Sequence, residues 1–208
     1  MSSQSKVVMF FAWLAIFQIS IPYRLSAGVP TDQVRATVDR VVATLKDPTL
    51  KSEGKTKERR DRLRQIIYPK FDFAEMARRS LGSNWRQRTP EQQREFIEIF
   101  TDLLEDSYVS KIEAYTNEKY SFTKETVDKD FAEVTSKIAT KNGDEISIRY
   151  RLHLADGDWK IYDVIIENIS LVNNYRSQFN RIIANSSYED LIRKLKEKQV
   201  QIVRGKKS

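Results

Sequence analysis

Apolar residues recur at helical spacing through the first half of the chain and at a spacing of two through the next third. Thr31 and Asp32 stand where a helix cap belongs, followed by Val34, Val38, Val41, Val42 and Leu45, and Pro48 closes this first helix. The mostly charged stretch from Lys51 to Arg64 gains an apolar edge only at Leu63, Ile66 and Ile67, and Pro69 breaks it. Phe71, Phe73, Met76, Ala77 and Leu81 predict a short third helix stopped by Gly82. The best-marked helix comes next. Thr89-Pro90-Glu91-Gln92 supplies a cap residue, a proline at the first helical position and a glutamine at the third, which together make a capping box. Phe96, Ile97, Phe100, Leu103, Leu104, Tyr108 and Ile112 then keep register to about Tyr115. That is a helix of roughly 25 residues, about 40 Å long.

The period then switches to two. Strands are predicted over 120–127 and 131–140, and Asn142-Gly143 is the strongest short hairpin signal in the chain. In the next strand Ile146, Ile148, Tyr150, Leu152 and Leu154 alternate with Glu145, Ser147, Arg149, Arg151 and His153. A turn at Ala155-Asp156-Gly157-Asp158 leads to a strand from Trp159 to Glu167 that is apolar on both faces. Trp159, Ile161 and Ile165 lie opposite Tyr162, Val164 and Ile166, so both sides are expected to be covered. Ser170 caps a fifth helix (Leu171, Tyr175, Phe179, Ile182), and Ser187 starts a sixth (Tyr188, Leu191, Ile192, Leu195). N-terminal helices, a four-stranded antiparallel meander and C-terminal helices give an α+β class. By fold analogy the order resembles the NTF2-like cone, in which helices and a curved sheet can leave a cavity between them.

The N-terminus changes the picture of where this domain works. Lys6 precedes an apolar run from Val7 to Ile21, and Leu25-Ser26-Ala27 offers a small residue at a cut site. This is the layout of a secretory signal, with cleavage expected after Ala27. The run is shorter than the ~20 residues a helix needs to span a bilayer. Residues 28–208 are then expected to form one domain outside the cytoplasm, large enough for a proper core. Removing Lys6 and Arg24 takes the formal charge from +7 to about +5, a modest basic excess. With no cysteine, the fold uses no disulfide and offers no thiolate.

Candidate chemistry is sparse. His153, the only histidine, shares the polar strand face with Arg149 and Arg151 and is expected at the surface. No second histidine or spaced carboxylates accompany it, so no metal or cofactor site is indicated. Strict alternation puts Asp163 on the face of Trp159, Ile161 and Ile165. It is either a raised-pKa base, as in isomerases built on the cone fold, or a structural carboxylate paired with an arginine or a helix N-terminus. The basic stretch from Lys55 to Arg62 is broken by Glu58 and Asp61 and carries no aromatic to stack on bases, so nucleic acid is not indicated. The remaining signal is apolar. Phe71, Phe73, Met76, Trp85, Phe96, Phe100, Leu104, Tyr108, Tyr150, Tyr162, Val164, Tyr175 and Phe179 all read as inward-facing. Periodicity alone does not separate a filled core from the lining of a hollow one.

Two segments, FDFAEMARRSLGSNWRQRTPEQQREFIEIFTDLLEDSYVSKIEAY (71–115) and WKIYDVIIENISLVNNYRSQFNRII (159–183), resemble the MlaC-like (toluene-tolerance auxiliary) family of periplasmic phospholipid-binding proteins. Asn168 and Ser186-Ser187 depart from the family, where glycine is usual. The resemblance implies a soluble, non-enzymatic and monomeric carrier. It would take phospholipid acyl chains into an apolar cavity lined by the set above. It would shuttle lipid between an outer-membrane lipoprotein complex and an inner-membrane complex of an MCE protein with an ABC transporter, maintaining outer-membrane asymmetry. A related branch implies hopanoid or other isoprenoid lipids as an alternative, and an isomerase or hydrolase using Asp163 is the enzyme alternative. Arg149, Arg151 and Arg176, with Lys160, become candidate contacts to a head group or an acidic partner.

Overall fold

The computed structural model describes residues 29–115, 118–140 and 143–205, with side chains to residue 197. The proposed signal segment, and Asn142 of the hairpin signal, lie outside the described residues. Among the described residues six α-helices and one antiparallel sheet follow in the predicted order: α1 (Pro30–Lys46), α2 (Thr56–Ile67), α3 (Phe73–Leu81), α4 (Pro90–Glu113), β1 (Lys119–Asp128), β2 (Phe131–Ala139), β3 (Glu145–Ala155), β4 (Asp158–Ile166), β5 (Ile169–Ser170), α5 (Leu171–Asn185) and α6 (Tyr188–Gly205). The sheet runs β1-β2-β3-β4-β5, so the meander is as expected apart from a two-residue fifth strand.

Local chemistry explains most boundaries. The Thr89 side chain accepts from the Gln92 amide while Gln92 accepts from the Thr89 amide, completing the reciprocal cap of α4. Helix α1 starts earlier than expected, at Pro30 after Val29, with no side-chain cap, so neither Thr31 nor Asp32 caps it. Phe71 is extended rather than helical. It bridges to Ile161 of β4, and Asp72 caps α3 through the Glu75 amide at 2.8 Å. Gly82 follows α3 at φ +58° and ψ −126°, a region open essentially to glycine alone. A side chain there would also meet the Arg176 guanidinium at 2.7 Å. Glu167 and Asn168 turn β4 into β5 with φ of 48° and 66°. Such a turn favours glycine, and asparagine is its common substitute, which accounts for Asn168.

The register departs from simple alternation at one place that matters. Arg151 pairs with Asp163 and Leu152 with Ile161, so Tyr162 is an extra residue bulged out of β4. Faces exchange across it. Trp159, Ile161, Val164 and Ile166 share the concave face, whereas Asp163 and Ile165 point the other way, buried where α5 packs on β4.

Two apolar clusters result. One lies among the helices α3, α4, α5 and α6, built on Phe96, Phe100, Leu103, Phe179 and Leu191. The other lies on the concave face of the sheet, with Val34 of α1 over Val134, Leu152, Trp159 and Ile161. Helix α4 joins them. Its apolar stripe is packed under α5 and α6 in its first half and turns towards the sheet in its second.

Candidate functional site

A cavity of about 420 Å³ separates the concave face of the sheet from α1, α2 and the second half of α4. This falls within the range of small-molecule sites. Ile138, Ile148, Tyr150, Ile161, Val164 and Ile166 form its floor. Phe71, Phe73, Met76, Leu104, Tyr108 and Ile112 form a wall. Val38, Val41, Val42 and Leu45 of α1, with Leu63 and Ile67 of α2, form the roof. The α1 stripe is informative. Of its apolar residues Val34 is buried, but Val38, Val41, Val42 and Leu45 stay half-buried because they face open space rather than a packed neighbour. Leaving that surface unfilled forgoes both burial and dispersion energy, which an apolar ligand would recover.

Charge is confined to the side where α2 faces α4. Arg60, Arg64, Glu105 and Lys111 lie on the cavity boundary there. Glu113 receives Arg59 at 2.8 Å and Arg60 at 2.6 Å. Glu105 receives Arg64 Nε at 2.8 Å and the Tyr68 hydroxyl at 2.5 Å. These ion pairs strap α2 across to α4. Burial pushes the Glu113 carboxyl up, but hydrogen bonds from Arg60 and Arg59 outweigh it and hold the group below the usual range. In Glu105 the same opposition is won by Arg64 and Tyr68.

The strap therefore has a pH dependence of known sign. Carboxyl groups depressed in the folded state contribute fully above about pH 4.3, the ordinary glutamate value, and lose that contribution as acidification passes through their lower folded values. Glu113→Ala leaves two largely buried guanidinium groups without their carboxylate. It is expected to cost about 2 kcal/mol at pH 7 in urea unfolding. The gap between variant and wild type should close as the pH falls below about 4. A gap that stays constant through that range would remove the strap from the account.

The structure divides the predicted lining residues. Phe71, Phe73, Met76, Leu104, Tyr108, Tyr150 and Val164 surround the cavity. Phe96, Phe100, Tyr175 and Phe179 do not; they interlock as rings at 5.4–5.9 Å inside the helical cluster, and Trp85 packs against that cluster. Tyr162 is turned to the convex face by the bulge, under Arg79 and against His153. The arginines expected at a head group lie elsewhere. Arg149 and Arg151 point from the convex face and pair with Glu133, and Arg176 rests against Gly82, so none lies on the cavity. Lys160 binds Asp158 and the Pro69 carbonyl. His153 is not a free surface group: Nε2 lies 2.9 Å from Asp72, tying β3 to the start of α3. Asp163 is structural. It accepts from Ser170 Oγ at 2.7 Å and the Val172 amide at 3.2 Å, at the N-terminus of α5, with Arg151 at 3.8 Å. Among the described residues no group of acids and histidines could hold a metal.

Several lining residues have no functional mark in the sequence: the α1 valines, Leu63, Ile67, Tyr115, Phe122 and Ile148. The α1 stripe and Ile148 are visible as inward positions in the sequence. Nothing in the pattern marks them as facing space.

Comparison with known proteins gives concordant matches. The family model described as MlaC protein matches residues 35–197. The intermembrane phospholipid transport system binding protein MlaC of Haemophilus influenzae is 24% identical over 161 residues, covering 72% of this chain and 74% of that protein. The toluene tolerance protein ttg2D of Pseudomonas putida is 26% identical over 157 residues, 74% of this chain and 73% of that protein. Among solved structures, a phospholipid-binding protein from Ralstonia solanacearum, determined in complex with a phospholipid, superposes with a TM-score of 0.75 at 28% identity. The match covers 84% of this chain and 99% of that one.

Proposed function

This chain belongs to the MlaC family, and from that membership we propose that it is a periplasmic carrier of phospholipid. The observation that carries the reading is the apolar cavity itself, bounded by charge on one side, in a fold whose R. solanacearum relative was determined with a phospholipid. Acyl chains lie between the sheet and α1, and the head group stays where Arg60, Arg64 and Lys111 border the cavity. Residues 1–27 act as a cleaved signal peptide, and residues 28–208 form the single lipid-binding domain. The partners are an outer-membrane lipoprotein complex and an inner-membrane MCE-protein complex with its ABC transporter.

The physical need is large. Two acyl chains hold on the order of 30 methylenes, and each exposed to water costs about 0.8 kcal/mol, more than ~20 kcal/mol in all. A cavity that shelters both chains brings bilayer-to-protein transfer close to neutral, so lipid moves in either direction without an energy source in the carrier. Catalysis by Asp163 finds no support, because the bulge at Tyr162 turns that carboxylate away from the cavity into the cap of α5.

Protein purified from a lipid-rich host is expected to release phospholipid on organic extraction, read by mass spectrometry at about one lipid per chain. Protein that emerges empty and takes up nothing from liposomes would defeat the carrier reading.

A further inference from the structure

The cavity holds one polar feature that lipid carriage in general does not require. Most hydroxyls on its boundary are committed elsewhere. Thr37 and Thr101 donate to carbonyls of their own helices, at 2.8 Å to Gln33 and 2.7 Å to Ile97. Tyr68, Tyr115 and Tyr120 donate to Glu105, to the Glu118 carbonyl and to Asp39. Tyr108 lies under the Lys111 ammonium, on the charged side. Ser136 and Tyr150 differ. They are diagonal neighbours on the concave face, since Ser136 pairs with Ile148 and Tyr150 with Val134. Both border the cavity, and the Ser136 hydroxyl is near enough to Tyr150 to interact with its phenol.

Two hydroxyls carry two protons, and a bond between them would use at most one. At least one of them is therefore left with an O–H and, among the described residues, no protein acceptor. A donor left unmatched in apolar surroundings is costly, and an acceptor arriving with the ligand removes that cost. The acceptor must be uncharged. The cations on the cavity, Arg60, Arg64 and Lys111, border it where α2 faces α4, and the strand cations Arg149 and Arg151 pair with Glu133 on the opposite face, so a phosphate on the floor would be desolvated without a counter-charge from the strands. Burial also pushes the Tyr150 phenol up, which keeps it protonated and able to donate at neutral pH.

We propose that Ser136 and Tyr150 form a selective subsite on the cavity floor that donates a hydrogen bond to an uncharged lipid oxygen, an acyl ester carbonyl or a hydroxyl on the chain. This rests on the carrier reading and adds a chemical criterion to it: the cavity discriminates by oxygen placement as well as by apolar volume.

The test loads delipidated wild-type protein, Tyr150→Phe and the Tyr150→Phe/Ser136→Ala double variant from mixed vesicles. These hold a diester phospholipid, its diether analogue with the same head group and chains, and a diether analogue bearing a hydroxyl on the chain. Bound lipid is extracted and counted by mass spectrometry. Phenylalanine keeps the ring, so the fold is retained. One hydrogen bond corresponds to about fivefold discrimination. Wild-type protein is expected to favour the diester over the plain diether by that factor, falling towards one in the double variant; this identifies the carbonyl. The same pattern for the hydroxylated diether alone identifies the chain hydroxyl. Equal loading of all three by wild type, or a preference that survives in the double variant, overturns the subsite but leaves the carrier. Wild-type protein that loads none of them overturns the carrier reading and the subsite with it.

Discussion

Ile148→Trp is expected to cut phospholipid loading by about a hundredfold while the protein stays folded. Ile148 lies in the middle of the concave face, opposite Ser136 on one side and Ile166 on the other, and its side chain borders the cavity. It remains half-buried because open space stands above it. An indole can enter that space without displacing packed neighbours, so the usual penalty for overfilling a core does not arise. It would occupy room otherwise filled by three or four methylenes. Each methylene kept out of the cavity costs about 0.8 kcal/mol, so the loss approaches ~3 kcal/mol, or about two decades in the loading constant. Uptake from liposomes measures the loss, and thermal unfolding of the empty protein checks that the midpoint moves by no more than a few degrees. Loading equal to wild type would place the lipid somewhere other than this cavity.

The contrast between Ile148 and Phe96 shows what could be read from the sequence. Capping at Thr89, the stop at Gly82 and the alternation along 145–154 depend on local backbone chemistry, and each yields the observed element. The side of a helix or strand that faces inward is equally legible. What it faces is not. On α4, Phe96, Phe100, Leu104 and Tyr108 follow one another at intervals of four and belong to one stripe, yet the first two are sealed under α5 and α6 while the last two border empty space. That division depends on where α5 and α6 come to lie, which is information held in distant parts of the chain. The β4 faces escape simple alternation for a different reason. A single bulged residue, Tyr162, reverses the parity of everything after it, and no turn residue or glycine announces it. The reversal places Val164 towards the cavity and carries Asp163 out to the α5 cap, which decides between a ligand-facing acid and a structural one. The arginines on β3 were placed on the correct strand face by alternation, but that face is the convex one.

Phe96→Ala is expected to lower stability by about 3–5 kcal/mol and leave the lipid affinity of the folded fraction unchanged. Phe96 is fully buried, stacked on Phe100 at 5.8 Å and edge-on to Phe179 at 5.7 Å. Truncation opens a void surrounded by rigid rings from α4 and α5, which cannot close over it, so both transfer energy and cavity cost are lost. In a domain of this size each kcal/mol shifts the thermal midpoint by about 2–4 °C, which puts the expected fall near 10 °C. The cavity should be indifferent, because Phe96 does not border it. Leu104, which belongs to the helical cluster and also borders the cavity, supplies the complementary case: Leu104→Ala should weaken stability and lipid loading together. Urea unfolding and liposome uptake normalised to folded protein distinguish the two. If Phe96→Ala altered loading as strongly as Leu104→Ala, the helical cluster could not be a separate supporting core, and the lipid space would have to extend into it.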